Sequence, residues 1–566
     1  MKRFAIVMLG CFMFFAARPV FGQQAGGNTG NLYAVTTYEC AGIYFKTAEA
    51  GPCKIHYKEI KAKNWSDGLD LVYDSRDGEY RGSIINLKPD TDYETELETT
   101  SGKSRLKLKT KSDAFPVGKV TVLPEGESDK EVVITESGTP GAYHLVTVPE
   151  NSKSILNLKN VSESGIIVDA DYVIIRGVEI RNPAIHGIRI RKNRHDIVIE
   201  QCHITFWGRI GGPRTYGNIE GGSDSGIYAE EGTGNLTIQR NLIEDPRGAS
   251  NDWETGHPNG PQGISIIQST GGNVIRYNDI VSTEDHGFND AIGGGSNFSL
   301  IGNVNCNSDI YGNLIRSVWD DAIESEGANM NVRIWGNYAH KFFNGIATAC
   351  TSRGPLYIFR NVLGESRTGH SNTAGGSFIK TGERNEFGGG RKYIFHNTAL
   401  QPGGVFHAFT SHVNPNSITR NNIFDVPGRL ATDTEKEPAS DYDYDYFSGT
   451  TRGTAQEKNG IRFNVTPSGT KLYISSYKLE FYPRSTINSI KWGAQPYEFG
   501  ERKVNITDPV VWINNPLIDS GAIIPGFNNN FTGKGPDIGA FETGAPPLEF
   551  GRRAYLEYNE GWAAWE

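Results

Sequence analysis

The sequence predicts an all-β protein, a repetitive solenoid preceded by a small β-sandwich. From about residue 150 one strand–turn–strand pattern recurs at a minimum spacing of 24 or 25 residues. Residues 31–112 alternate apolar and polar in period two between short turns. Glycine supplies 68 of 566 residues, about 12% against an average of roughly 7%, beside 25 Tyr, 27 Phe and only 4 Met. The other hydrophobic residues make up 37%, so with glycine the total is about 49%, which excludes a disordered chain.

In chain order, Lys2-Arg3, an apolar stretch over 4–17 and Val20-Phe21-Gly22 before Gln23 read as a secretory signal over 1–22, cleaved to a secreted or periplasmic product. Leu9-Gly10-Cys11 resembles a lipoprotein cleavage site, but Cys11 falls inside the apolar stretch, which argues against lipidation. The mature chain of about 544 residues allows three or four units. Losing Lys2, Arg3 and Arg18 takes the net charge from -9 to about -12, and no basic run exists, so neither nucleic acid nor an anionic membrane is an expected partner. No later segment has the apolar length of a membrane span, and a monomer is expected. Five sparse cysteines remain; Cys40 and Cys53 either pair or sit apart as small core residues. No C-x-x-C or H-E-x-x-H spacing points to zinc.

Strands are expected over 41–47, 53–58, 69–73, 93–98 and 104–110, a sandwich spanning 31–112. Within it, Leu87-Lys88-Pro89-Asp90-Thr91-Asp92-Tyr93 resembles the tyrosine-corner segment of fibronectin type III domains. That resemblance implies a spacer or platform without chemistry.

The solenoid copies are Ile175-Arg176-Gly177, Ile199-Glu200-Gln201-Cys202, Ile238-Gln239-Arg240-Asn241, Ile275-Arg276-Tyr277-Asn278 and Ile310-Tyr311-Gly312-Asn313. They continue as Ile334-Trp335-Gly336-Asn337, Ile358-Phe359-Arg360-Asn361, Ile394-Phe395-His396-Asn397 and Ile418-Thr419-Arg420-Asn421. Each copy is too small to bury its own isoleucines; stacking buries an isoleucine ladder and lets turn asparagines bond above and below. Over about 116–543 the sequence resembles the right-handed parallel β-helix of pectate lyases, polygalacturonases and related polysaccharide-degrading proteins. Pro536-Asp537-Ile538-Gly539-Ala540-Phe541-Glu542 resembles the closing segment of many secreted bacterial β-helix proteins, leaving 544–566 as a C-terminal tail. The period is lost over about 430–510, where Asp441-Tyr442-Asp443-Tyr444-Asp445-Tyr446 reads as a solvated strand with outward carboxylates, or as a calcium loop lacking its usual glycine.

A further strand of each copy opens with a small residue and then an apolar one: Gly187-Ile188, Gly226-Ile227, Gly263-Ile264, Ala291-Ile292, Ala322-Ile323, Gly345-Ile346, Ser377-Phe378 and Gly404-Val405. Alternation is expected to turn the small residues outward as a groove floor, flanked by Arg189, Arg191, Tyr228, Glu230, Ser265, Glu324 and Glu326. Asp320, Asp321, Glu324 and Glu326 crowd one copy, and Asn289-Asp290 occupies the equivalent place on the copy before. Rungs about 4.8 Å apart would raise at least one carboxyl pKa and set a proton donor beside an ionised base. A calcium site or a solvated acidic turn is the alternative.

Polygalacturonase-like hydrolases carry N-x-D, D-D, G-H-G and R-I-K segments on successive coils. The corresponding segments here are Asn289-Asp290, Asp320-Asp321, Asn344-Gly345 and Phe378-Ile379-Lys380; the first spacer, the histidine and the arginine are missing, and His370 in an inserted loop is the nearest substitute. The resemblance implies a secreted glycoside hydrolase acting on a plant or algal polysaccharide. Asp290, Asp320, Asp321 and Glu324 would be catalytic, and Glu326, Lys380, His370, Arg384 and Trp319 would contact substrate. The first alternative is a polysaccharide lyase acting on a uronate glycan, with the acids holding Ca2+ and Lys380, Arg384, Arg367, His370, Arg353 or His286 as base. The second is a non-catalytic glycan-binding surface protein. Trp207, Trp253, Trp319 and Trp335 are candidates for stacking on sugars, Trp335 equally for covering another face. No cofactor is required by the hydrolytic reading.

Overall fold

The computed structural model describes residues 30–210, 224–295, 297–364, 366, 376–382, 387–400, 404–408, 416–425, 440–447, 457–462, 517–546 and 548–555. Three parallel sheets of 12, 13 and 10 strands, stacked coil on coil, form a parallel β-helix. Among the described residues the only helical element is the single turn Glu284–His286. Each coil contributes one strand to each sheet in turn, as in Val173–Arg176, Glu179–Arg181 and His186–Ile190.

The isoleucine ladder is the register: Ile175 pairs with Ile199, then Ile238, Ile275, Ile310, Ile334, Ile358 and Ile394, all fully buried. Each contributes about 1.5–3 kcal/mol by leaving water. Between the first and second strands, Asn241, Asn278, Asn313, Asn337, Asn361 and Asn397 each donate Nδ2–H to the next asparagine at 2.9–3.0 Å, ending on Asn422. The residue before each is left-handed, with φ of 53° at Tyr277 and 66° at Gly312, which explains the recurring Gly-Asn pairs. In the last copy Asn421 takes that left-handed place (φ 59°) and Asn422 the ladder, one residue later than expected. At the other end Val178, not Gly177, aligns with Cys202.

Eight antiparallel strands precede the helix as two four-stranded sheets, with Ile43, Leu71, Ile55 and Leu97 in the core between them. Strands Leu32–Thr36, Ser66–Asp67 and Glu79–Ile84 join the five expected. Lys88 donates its backbone N–H to the Tyr93 hydroxyl at 2.9 Å. Cys40 and Cys53 do not pair: they are free, each just before a strand of a different sheet (Ala41–Lys46 and Lys54–Glu59), and buried in different clusters.

The sandwich lies on the outer face of the 12-stranded sheet, where Tyr44 donates to Asn307 at 2.8 Å and Arg333 pairs with Asp309 at 2.6 Å. The C-terminal segment 517–555 covers the 13-stranded sheet, with Leu517, Ile538, Phe541 and Phe550 packed on Leu242, Leu314 and Val362. Residues 548–555 therefore pack against the helix, with Arg552 bonded to buried Asp279 at 3.2 Å. The Asp441-to-Tyr446 run continues the stack with the short strands Asp441–Tyr442 and Tyr446–Phe447, Asp441 exposed as a solvated strand requires and Asp445 turned inward. Tyr442 and Tyr446 are buried, and Asp445 ends the asparagine ladder by accepting from Asn422 at 2.8 Å.

Candidate functional site

The outer face of the 10-stranded sheet carries the acids. Register places Asp321 beside Asn344 and Asn344 beside Ser377, while Ser225 pairs with Gln262 on earlier coils. Ile264 pairs with Ile292 and Ile292 with Ile323, which aligns Gln262, Asp290 and Asp321 two residues earlier in one column. A second column holds Arg189, Tyr228, Ser265, Gly293, Glu324, Ala347 and Lys380.

The small residues that precede the isoleucines do not face outward. A methyl group on Gly226 would meet Ile243 Cγ2 at 2.7 Å, and one on Gly263 would meet Ile280 Cγ2 at 2.6 Å. Two successive residues turn inward where the chain enters each strand, and the small one makes room for the isoleucine of the neighbouring sheet. The groove-floor expectation fails for that reason, while the flanking outward positions stand as expected.

Asp290, Asp320, Asp321, Glu324 and Glu326 are each at most 6% exposed. Asp290 accepts from Gln262 (2.9 Å), Asn289 (3.0 Å) and the backbone of Asp321 (3.1 Å). Asp320 accepts from the Trp253 indole at 3.3 Å, and His257 Nε2 lies 3.8 Å from its other oxygen. Asp321 accepts from Asn344 at 2.8 Å and from Lys380 at 2.5 Å. Glu324 accepts from the amides of Gly294 (3.1 Å) and Gly295 (3.3 Å). It reaches them because Gly293 has no side chain: a Cβ there would stand 2.9 Å from Glu324 Oε2. Glu326 accepts from the Ala349 amide at 3.2 Å and lies 3.3 Å from Lys380, while its buried Oε2 has no partner.

Five buried carboxyls thus face one buried ammonium. Burial, followed by the charges of Glu324, Asp321 and Asp320, pushes Asp290 well above the usual carboxyl range. Burial and then Asp321 do the same for Asp320. Glu326 rises through burial, against the opposing pull of Lys380. Lys380 would be lowered by burial, but Asp321 and Glu326 hold it well above an ordinary lysine. Three carboxyls that hold their protons tightly therefore crowd into one cluster with Asp321 and Glu324. Oxygens of Asp290, Asp320 and Asp321, and separately of Asp321, Glu324 and Glu326, lie within 4.8 Å of one another. Lys380 lodges against two members of the second trio, Asp321 and Glu326, and against Asp321 alone of the first.

The structure thus brings together Asp290, Asp320, Asp321, Glu324, Glu326 and Lys380. Lys380 is buried inside two salt bridges, with Asp321 and Glu326, and balances part of the acids' charge. Trp319 is 1% exposed and packs on Gly287, and Trp207 is in the core stacked on Phe288, so neither meets a sugar. Trp335 stacks between Tyr311 and Phe359 on the sandwich-facing sheet. Arg353 pairs with Asp77 of the sandwich, and His286 bonds the Pro246 carbonyl. His370, Arg384 and Arg367 lie outside the described residues. Gln262 and His257 were not expected. Gln262 was legible as the residue two before the ladder Ile264, whereas His257 reaches the acids through a loop that follows no period.

No protein-family model and no curated protein matches the chain. Among solved structures, the catalytic unit of a thermostable GH87 alpha-1,3-glucanase from Streptomyces thermodiastaticus aligns at 12% identity, covering 78% of this chain and 86% of that one, with a TM-score of 0.34. A GH87 alpha-1,3-glucanase catalytic domain in complex with tetrasaccharides aligns at 10% identity over 78% and 91%, with a TM-score of 0.26. A glycoside hydrolase aligns at 9% over 70% and 75%, with a TM-score of 0.29. Likeness this remote assigns the chain to no family.

Proposed function

We propose that the protein is a secreted glycoside hydrolase that cleaves a polysaccharide by paired-carboxylate chemistry, preceded by a fibronectin type III-like platform. The supporting observation is the cluster of five buried carboxyls with a single ammonium, Lys380, in which burial and neighbouring charge push Asp290 and Asp320 well above the usual carboxyl range. Asp320 is the proposed acid. It lies beside His257, whose side chain is 61% exposed, and so faces the mouth of the site. Asp321 and Glu324 are the proposed bases, with Asp290 poised by three donors to exchange a proton with them. A site in which five acids share one ammonium favours a neutral glycan over a uronate, because a further carboxyl group would meet acids and no unpaired cation among the described residues of the cluster. Lys380 holds its proton too tightly to serve as the base of a lyase.

The test is a panel of neutral and uronate polysaccharides given to the mature protein. New reducing ends without unsaturated-uronate absorbance are expected, and Asp321→Asn should lower the rate by about 10³-fold while the fold persists. Unsaturated products, or activity abolished by a chelator and restored by calcium, would overturn the assignment in favour of elimination or a metal at Asp290, Asp320 and Asp321.

A further inference from the structure

Aromatic side chains stack on the outer faces of two of the three sheets, and there protein covers them. Tyr311, Trp335 and Phe359 stack at 4.1 and 5.5 Å on the sandwich-facing sheet, where Tyr311 packs against Tyr38 and Phe359 against Phe527. Tyr338 lies against Phe550 of the C-terminal segment. On the acid-bearing sheet, Tyr228 stacks on His186 with ring centroids 4.3 Å apart and planes within 10°. Tyr228 is half-buried, and among the described residues neither the sandwich nor the C-terminal segment packs on this pair.

The pair is rigid and continuous with the acids. His186 Nδ1 accepts from the Ser225 amide at 3.2 Å, and burial followed by Arg189 and Arg209 lowers its pKa to about 3, keeping the ring neutral. Ser225 Oγ bonds Ser265 Oγ at 2.7 Å, Ser265 donates to Gln262 at 2.5 Å, and Gln262 donates to Asp290 at 2.9 Å. Tyr228 shares its column with Ser265, Gly293 and Glu324, three rungs and about 14 Å from the catalytic coil. Arg189 and Arg191 beside it share Glu230 at 2.7 and 3.1 Å, and Arg189 also lies 3.7 Å from Glu163, so two acids balance the two cations.

We propose that Tyr228, held flat by His186, is a stacking subsite for a neutral pyranose ring of the same glycan chain, a few sugar rings from the cleavage point. The idea rests on the hydrolase reading above. A pyranose presents C–H groups on its faces and hydroxyls at its rim, which suits an aromatic face with polar groups around it. A ring already fixed by its neighbour loses little conformational freedom on binding.

The probe is a graded series of neutral α- and β-linked gluco-oligosaccharides, disaccharide to octasaccharide. Binding is read by calorimetry on the Asp321→Asn protein and hydrolysis on the native one. Tyr228→Ala should weaken binding of the long members roughly tenfold and leave the disaccharide unchanged, while Tyr228→Phe retains most of the affinity. His186→Ala, which frees the ring, should give an intermediate loss. If the native protein hydrolyses the series but Tyr228→Ala binds long and short members as before, the subsite is refuted and the hydrolase reading stands. If the native protein neither binds nor cleaves any member, both fall.

Discussion

Two buried charge clusters lie on outer faces of the same solenoid, and they are built on opposite principles. Beneath the sandwich, Arg333 meets one acid, Asp309, at 2.6 Å, and spends its other donors on Asn331 O, Ser83 and Thr37. On the acid-bearing sheet, Lys380 pairs with two acids, Asp321 and Glu326, and three more buried carboxyls share the cluster. The first is matched charge for charge, as an interface between two units requires. The second is mismatched at a depth where every unpaired charge is destabilising, and such a mismatch persists where chemistry needs protons that change hands.

Removing the cation from each cluster separates the two cases. Arg333→Met strands Asp309 at 1% exposure and should lower folding stability by about 3–5 kcal/mol. Lys380→Met should cost less, because acids that already bind protons tightly can take up one more in place of the ammonium. Its price should therefore grow with pH, and the rising limb of activity should move to higher pH as the remaining acids lose their stabilising cation. Denaturant unfolding of both variants at acid and neutral pH reads this directly. Equal losses at both pH values would mean that the acid cluster is an ordinary structural ion pair.

The periodic parts of this contrast were legible in the sequence. The isoleucines from Ile175 to Ile394 announced their coils, whereas Ile418 falls beside Tyr393 and leaves Thr419 in the ladder place; the acids of 320–326 stood out because outward strand positions rarely hold so many charges. What periodicity could not show is direction at the strand entrance. Gly187 and its equivalents break strict alternation, because the chain turns two residues inward there. Nor could it show that Trp319, two residues before a strand, folds back on Gly287. The partner of Asp320 arrives from a loop, and loops carry no register. Asn421 and Asn422 were ambiguous because two adjacent asparagines suit both the left-handed position and the ladder.

A subtler probe of the acid cluster leaves its charge untouched. Gln262 contributes one of three hydrogen bonds to Asp290, and its own orientation is fixed by Ser265. Gln262→Leu removes a bond to a carboxylate worth about 1.5–3 kcal/mol. The Asp290 proton should then be held more tightly, moving the rising limb of the activity profile to higher pH with about a tenfold loss of rate below it. Ser265→Ala should shift it the same way by less. A profile displaced in height but not in position would make Gln262 a scaffold residue.

The smallest effect is expected at the far end of the asparagine ladder, where the molecule uses shared protons for stability alone. Asp445 closes the ladder, bonded to Thr419 and Asn422, and its amide donates to Glu457 at 3.2 Å. Burial, then the charge of Asp445, raises Glu457 to about 10, and burial raises Asp445 to about 6. Both groups hold their protons more tightly folded than unfolded. Their contribution is therefore complete below the ordinary carboxyl range and is lost progressively as pH rises toward 10. Glu457→Gln keeps an N–H donor for Asp445 without a titrating proton, so it should flatten the decline of thermal stability between pH 5 and 9. Hydrolysis should not change, since the ladder end lies on other sheets from the acids. An unchanged alkaline slope in Glu457→Gln would show that the pair shares no proton, leaving the acid cluster as the place where this fold keeps carboxyls protonated.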